Sequence, residues 1–154
     1  MSMASNDTFP VSFHFLVDFQ KLGEHFQVSF SEVSGLDIQL KGEARLNDTG
    51  VRVTLPGEQN FGNITLKRSI VPIGTKDAFT TWVNKVFTSD KGKFIVAYDA
   101  VIKLLDDEGT PVAGWKCSCT YPIHWTLSDL NAGKSEIAIE TIVLACNRIE
   151  RIMK

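Results

Sequence analysis

The sequence has no uncharged apolar stretch approaching the ~20 residues that a membrane-spanning helix needs. Its best apolar run, Ile137 to Cys146, is broken by Glu140. The opening residues, Met-Ser-Met-Ala-Ser-Asn-Asp, show no basic stretch followed by an apolar core, so no secretion signal is expected. Cysteine is scarce. Three residues, an odd count, argue against a disulfide framework and fit synthesis in a reducing cytoplasm. Charge of one sign is lacking too: the formal net charge is −2, and the densest acidic run, Asp106-Asp107-Glu108, is short. A nucleic-acid or anionic-membrane partner selects for concentrated Lys and Arg, which this chain does not offer. Internal repeats and low-complexity segments are also absent. What remains is an ordinary globular composition, 44% hydrophobic and 22% charged over 154 residues. That suits one domain, residues 1–154, with its own core.

The dominant signal is period two, the signature of strands whose side chains alternate between faces. Residues 12–19 place Phe13, Phe15, Val17 and Phe19 on one side, and residues 25–30 do the same with Phe26, Val28 and Phe30. Lys21-Leu-Gly-Glu24 joins them as a hairpin. Gly35 interrupts the next apolar segment and predicts a bulge or sharp bend. Residues 41–62 read as an extended hairpin arm with its tip near Asn47–Gly50, and residues 63–71 return as a strand.

One helix is predicted over about 75–88. Thr75 is the expected cap, Asp77 sits in the first turn, and Phe79, Trp82, Val83 and Val86 form one apolar stripe. Residues 94–105 and 112–121 form a second hairpin, followed by a short strand at 123–126 and a loop at 128–133. A long final strand is expected from Glu136 to about Ile149. Strands average about five or six residues, so one of that length should bend or project. The fold class is mainly β: an antiparallel two-sheet barrel or sandwich with one flanking helix. Phe15, Phe79, Trp82, Trp115 and Trp125 are the expected core or interface anchors.

Residues patterned for chemistry are few. Cys117 and Cys119, with Cys146 and His14, His25 and His124, form the best metal candidate. One residue separates the first two within a strand, which puts both on one face about 7 Å apart. Zinc prefers pairs on turns, so small buried thiols are the better reading. There is no Gly-x-Ser-x-Gly elbow, no cysteine at a helix N-terminus, no spaced calcium-loop ligands and no phosphate-cradling glycine pattern. No catalytic residue, metal or cofactor is expected.

Several segments in order carry a recognisable signature. Phe30-Ser-Glu-Val-Ser-Gly-Leu-Asp37, Leu55-Pro-Gly57, Asn63-Ile-Thr-Leu-Lys-Arg68, Asp129-Leu-Asn-Ala132 and Ser135-Glu-Ile-Ala-Ile-Glu140 resemble the tail-tube proteins of T4-like phages and extracellular contractile injection systems. The match covers roughly residues 9–149. The resemblance implies a non-enzymatic subunit, six copies of which close a ring with a shared inner β-barrel. Rings stack into a hollow tube that carries effector protein or DNA inside a contractile sheath, ended by baseplate or spike and capping proteins. It further implies assembly in a bacterial cytoplasm, without membrane anchoring. The arm would reach a neighbouring subunit or ring, making Glu43, Arg45, Leu46, Asn47, Asp48 and Val51 candidate contacts, with Asp129 and Asn131 on the later loop.

The chain departs from the family pattern at Glu43-Ala-Arg-Leu-Asn-Asp-Thr-Gly50, at Ser69 and at Cys146-Asn147. Those departures keep a specialised ring, at the baseplate or the tube end, as an alternative to the main tube subunit. Outside the family, the competing reading is a monomeric ligand-binding β-barrel. Sheet edges distinguish the two: natural monomers avoid long unpaired edges, whereas a closed ring pairs them with identical neighbours.

Overall fold

Alternating apolar residues build β1, His14–Lys21, and β2, Glu24–Phe30, which pair antiparallel with Val17 opposite Val28 and Phe19 opposite Phe26. The computed structural model describes residues 13–89, 95–130, 133 and 137–153. The β1–β2 turn holds Leu22 and Gly23 at positive φ, 38° and 87°, the two-residue hairpin geometry that matches strand twist. Val17, Phe19, Val28 and Phe30 are buried, Phe15 is half-buried, and Phe13 is half-exposed.

After β3, Glu32–Ser34, the chain turns at Gly35, whose φ is 85°. A β-carbon there would lie 1.9 Å from the Asn63 carbonyl oxygen, so only glycine fits. The expected arm then appears as β4, Ile38–Leu46, paired with β5, Arg52–Phe61. It is a separate two-stranded sheet. Next come β6, Ile64–Ser69, and the helix α1, Ala78–Thr88.

The helix starts later than the sequence suggests, and its cap is Asp77, not Thr75. Asp77 has extended backbone (φ −130°, ψ 102°) and its carboxylate accepts from the Thr80 amide. Both residue types cap helices; Asp77 takes the place because it also meets a cation beneath the helix. Phe79, Trp82, Val83 and Val86 are buried, as their spacing predicts. Phe79 and Trp82 pack on Phe19 at 5.4 and 5.3 Å between ring centroids. The Trp82 indole N–H donates to the Val96 carbonyl at 2.7 Å. Each such side chain contributes about 1.5–3 kcal/mol through burial.

Beyond α1 lie β7, Tyr98–Leu105, and β8, Pro111–Leu127. The two strands expected at 112–121 and 123–126 are one continuous strand of 17 residues. Pro122 does not break it, because it sits at a register irregularity where no ladder N–H is required. The single long strand expected at 136–149 is instead two, β9, Ile139–Ala145, and β10, Arg148–Ile152. They are interrupted at Cys146 and Asn147, while the Asn147 amide still bonds to Ser118 O at 2.9 Å.

The first half of β8 lies between β7 and β10, and the second half pairs with β9. One strand therefore serves two sheets. Sheet A runs β2-β1-β7-β8-β10, and sheet B runs β8-β9-β6-β3. The architecture is a two-sheet antiparallel sandwich; the described residues hold one helix, and among them the sheets do not close into a barrel. Between the sheets lie Ile64, Leu66, Ala100, Ile102, Cys117, Ile142, Leu144 and Ile149.

Candidate assembly interface

The sheet-to-helix junction contains an ion network that no short motif reveals. Arg68 on β6 is register partner of Glu140 on β9, and its Nε donates to Glu140 Oε2 at 2.8 Å. Its Nη2 donates to Asp77 Oδ2 at 2.6 Å and to Thr80 Oγ1 at 2.9 Å. The Thr80 hydroxyl closes the circuit by donating to Asp77. Trp125 Nε1 donates to Glu140 Oε1 at 2.6 Å, and the Arg68 guanidinium lies 5.0 Å from the Phe79 ring centroid. Burial alone would lower the Arg68 pKa, but the hydrogen bonds and charges of Asp77 and Glu140 outweigh it and raise the value. Burial alone would raise the Asp77 pKa, but the bonds from Arg68 and Thr80 and the charge of Arg68 outweigh it and hold the carboxyl low. Every charge in the group is spent on another member, so it ties α1 to sheet B and offers nothing to a substrate.

The cysteines separate. At Asp99, one residue of β7 faces two of β8, and within this bulge Cys119 adopts φ 53° with its amide bonded to Asp99 Oδ1 at 2.9 Å. The bulge breaks the alternation that would put Cys117 and Cys119 on one face: Cys117 is buried and Cys119 exposed. Burial, with the neighbouring Cys146, pushes the Cys117 thiol up to about 12, far from a thiolate at neutral pH. Among the described residues no group of three His, Cys, Asp or Glu is placed to share a metal ion.

The arm gathers most of the candidate contact residues at its outer end. Every residue of β4 is exposed, and so are Asn47, Asp48 and Val51. Leu46 shows 72% of its surface and Val51 55%. Glu43 and Arg45 pair along one face at 3.1 Å. Asn47 is occupied by the turn itself: its Oδ1 accepts from the Thr49 amide and hydroxyl and from the Val51 amide at 2.8–3.0 Å. Asp129 is exposed on the loop after β8, apart from the arm in the chain, and Asn131 lies outside the described residues. A two-stranded ribbon is marginal in water by itself, so an arm with Ile38, Leu40, Leu46, Val51 and Leu55 uncovered invites a partner. Of the expected anchors, Phe79 and Trp82 are buried, whereas Phe15, Trp115 and Trp125 are half-buried around the core. Arg151 covers the Trp115 ring at 5.1 Å, and Phe87 stacks on Trp125 at 6.2 Å.

Sheet B ends in two open edges. At one, β3 pairs only with β6; at the other, Tyr121–Leu127 of β8 pairs only with β9, among the described residues. They lie on opposite sides of the same sheet.

The model of the T4-like virus tail tube protein gp19 family matches residues 11–150. The chain belongs to that family. Solved structures agree. A chain in the sheath-tube complex of the PVC extracellular contractile injection system, in its extended state, is 27% identical with a TM-score of 0.72. That alignment covers 97% of this chain and 94% of the other. A chain in the tube-terminating cap of the anti-feeding prophage is 29% identical, TM-score 0.69, over 90% of this chain and 87% of that one. One in the prophage's baseplate, 22% identical over 99% and 97%, shares the fold at a TM-score of 0.70. No curated protein matches. As a tail tube protein the chain is a structural component of a phage tail or injection-system particle, not an enzyme. Among the described residues no helix is long and apolar enough to cross a membrane. The segments that carried the resemblance now have physical roles: Gly35 permits the turn against Asn63, and Arg68 and Glu140 are the buried pair.

Proposed function

We propose that this tail tube protein forms six-membered rings that stack into the hollow inner tube of a contractile injection machine, inside a sheath. The supporting observation is sheet B, with open edges on opposite sides. Such a sheet joins head to tail, one copy's β3 edge to the next copy's β8 edge, and a head-to-tail contact closes into a ring when its rotation permits. Backbone pairing along those edges supplies register, and apolar burial supplies most of the association energy. The arm, with apolar residues uncovered and a tip held by the Asn47 hydrogen bonds, reaches an adjacent subunit or ring. Assembly takes place in the bacterial cytoplasm, the sheath surrounds the tube, and baseplate or spike and capping proteins bound its ends. Cargo occupies the bore.

A second reading, a specialised terminal or tube-initiating ring, is favoured by one observation. The chain is as similar to a chain of the prophage tube-terminating cap assembly as to one of the PVC sheath-tube complex, 29% against 27%. Sedimentation velocity on the purified protein over a range of concentration separates the readings. Main-tube behaviour gives rings that grow into species of unlimited length. A specialised ring stops at one closed species, and a strict monomer at every concentration contradicts both.

A further inference from the structure

One face of sheet B is covered by the core and α1; with the bulk of the domain on that side, a ring closed through the sheet's edges has the other face free for the bore. Strand register fixes what that face presents. Glu32, Lys67, Thr141 and Thr126 form one row across all four strands. Ser34, Thr65, Val143 and His124 form the row beside it. Lys67 Nζ lies 3.8 Å from Glu32 Oε2, so the full charges of these rows cancel locally. His124 is the other ionisable side chain in them. The outward face of sheet A differs, carrying Asp18, Asp99, Lys103, Lys116, Arg148 and Glu150 on the corresponding register.

We propose that the outward face of sheet B is a charge-balanced, hydroxyl-lined wall fitted to polypeptide cargo, without selection by charge sign. The inference rests on the ring reading above and adds the class of cargo. Each Ser or Thr hydroxyl both donates and accepts, and each peptide unit offers one N–H and one C=O. Such a wall exchanges bonds with any passing sequence at similar energy. DNA carries one charge per ~1.7 Å of helix; a wall that holds it needs excess cations and one that repels it needs excess anions. These rows have neither excess.

The test uses purified tubes, verified by electron microscopy, at low salt and at pH 8, above the ordinary histidine range. Uptake is measured for oligo-glutamate, oligo-lysine and Gly-Ser peptides of equal length carrying a neutral dye, beside a single-stranded oligonucleotide. The three peptides should enter to the same extent within about two-fold, with little salt dependence, and none of them below the oligonucleotide. Lys67→Glu takes each copy of the rows from balanced to doubly negative and should favour oligo-lysine by about tenfold at low salt. Thr141→Lys should favour oligo-glutamate, and Asn84→Glu, exposed on α1 outside the bore, should leave the ratios unchanged. Tubes that select by sign as wild type, or that prefer the oligonucleotide, overturn the proposal while leaving the tube intact. Unchanged ratios in both Lys67→Glu and Thr141→Lys tubes overturn it as well, because this face is then not the wall. If no tubes form, the ring reading and this inference fall together.

Discussion

Arg68 Nε donates to Glu140 Oε2 at 2.8 Å between residues 72 apart in sequence, and the same guanidinium holds the Asp77 cap of α1. One cation thus fixes the helix N-terminus to the centre of sheet B. Replacing it with an apolar side chain of similar length leaves two carboxylates without their partner in a largely dry junction. Arg68→Met should cost about 3–5 kcal/mol of unfolding free energy, read by urea denaturation. Adding Glu140→Gln to Arg68→Met should recover part of that loss, since one unpaired charge is then removed. Equal, additive losses would show that the two side chains act independently.

The same network sets an acid limit. The Asp77 carboxyl is held below its ordinary value in the folded state, so its contribution is fully present above the unfolded carboxylate range. It is lost as pH falls through the lowered folded value. Melting temperature should therefore decline below about pH 4, the ordinary aspartate range, and Asp77→Asn should flatten part of that decline. An Asp77→Asn profile parallel to wild type throughout would assign the acid limb to other groups.

Gly35 and Gly50 both have positive φ, 85° and 80°, but their surroundings differ. A methyl at Gly35 meets the Asn63 carbonyl oxygen at 1.9 Å, whereas nothing lies within 4 Å of one at Gly50. Gly50→Ala should cost only backbone strain, about 1–2 kcal/mol, and that within the arm. Gly35→Ala must move the backbone where β3 meets β6 and should yield mostly insoluble protein. Similar thermal melts for the two variants would contradict this.

Much of the fold was legible because its causes are local. The alternation through Val17 and Phe19, the Leu22-Gly23 turn and the Phe79–Val86 stripe each follow from a few neighbouring residues. The arm was legible as a stretch poor in apolar residues around a turn-forming tip. Three features were not. Thr75 and Asp77 are both capping types, and only Arg68, from another strand, decides between them. Pro122 reads as a breaker until the register irregularity beside it is known. The split between β9 and β10 leaves no mark, because Cys146-Asn147 is not a turn signature. The interface residues named on the arm share one exposed end, and Asn47 among them spends its side-chain oxygen on the turn. Sequence could not assign faces to sheet B, since a one-residue slip in register exchanges wall and core.

Deleting residues 44–50 and closing the ribbon with a short turn should leave the sandwich melting within about 1 kcal/mol of wild type, because the arm packs mainly on itself. Stacking should suffer instead, giving isolated rings in place of tubes. Tubes of wild-type length from this variant, measured by electron microscopy, would remove the arm from the stacking contact.

Negative-stain electron microscopy of the purified wild-type protein across a concentration series decides whether the chain closes into rings. Six-fold rings with an open centre are expected, stacked end to end as concentration rises. Uniform monomeric particles at every concentration would contradict ring closure.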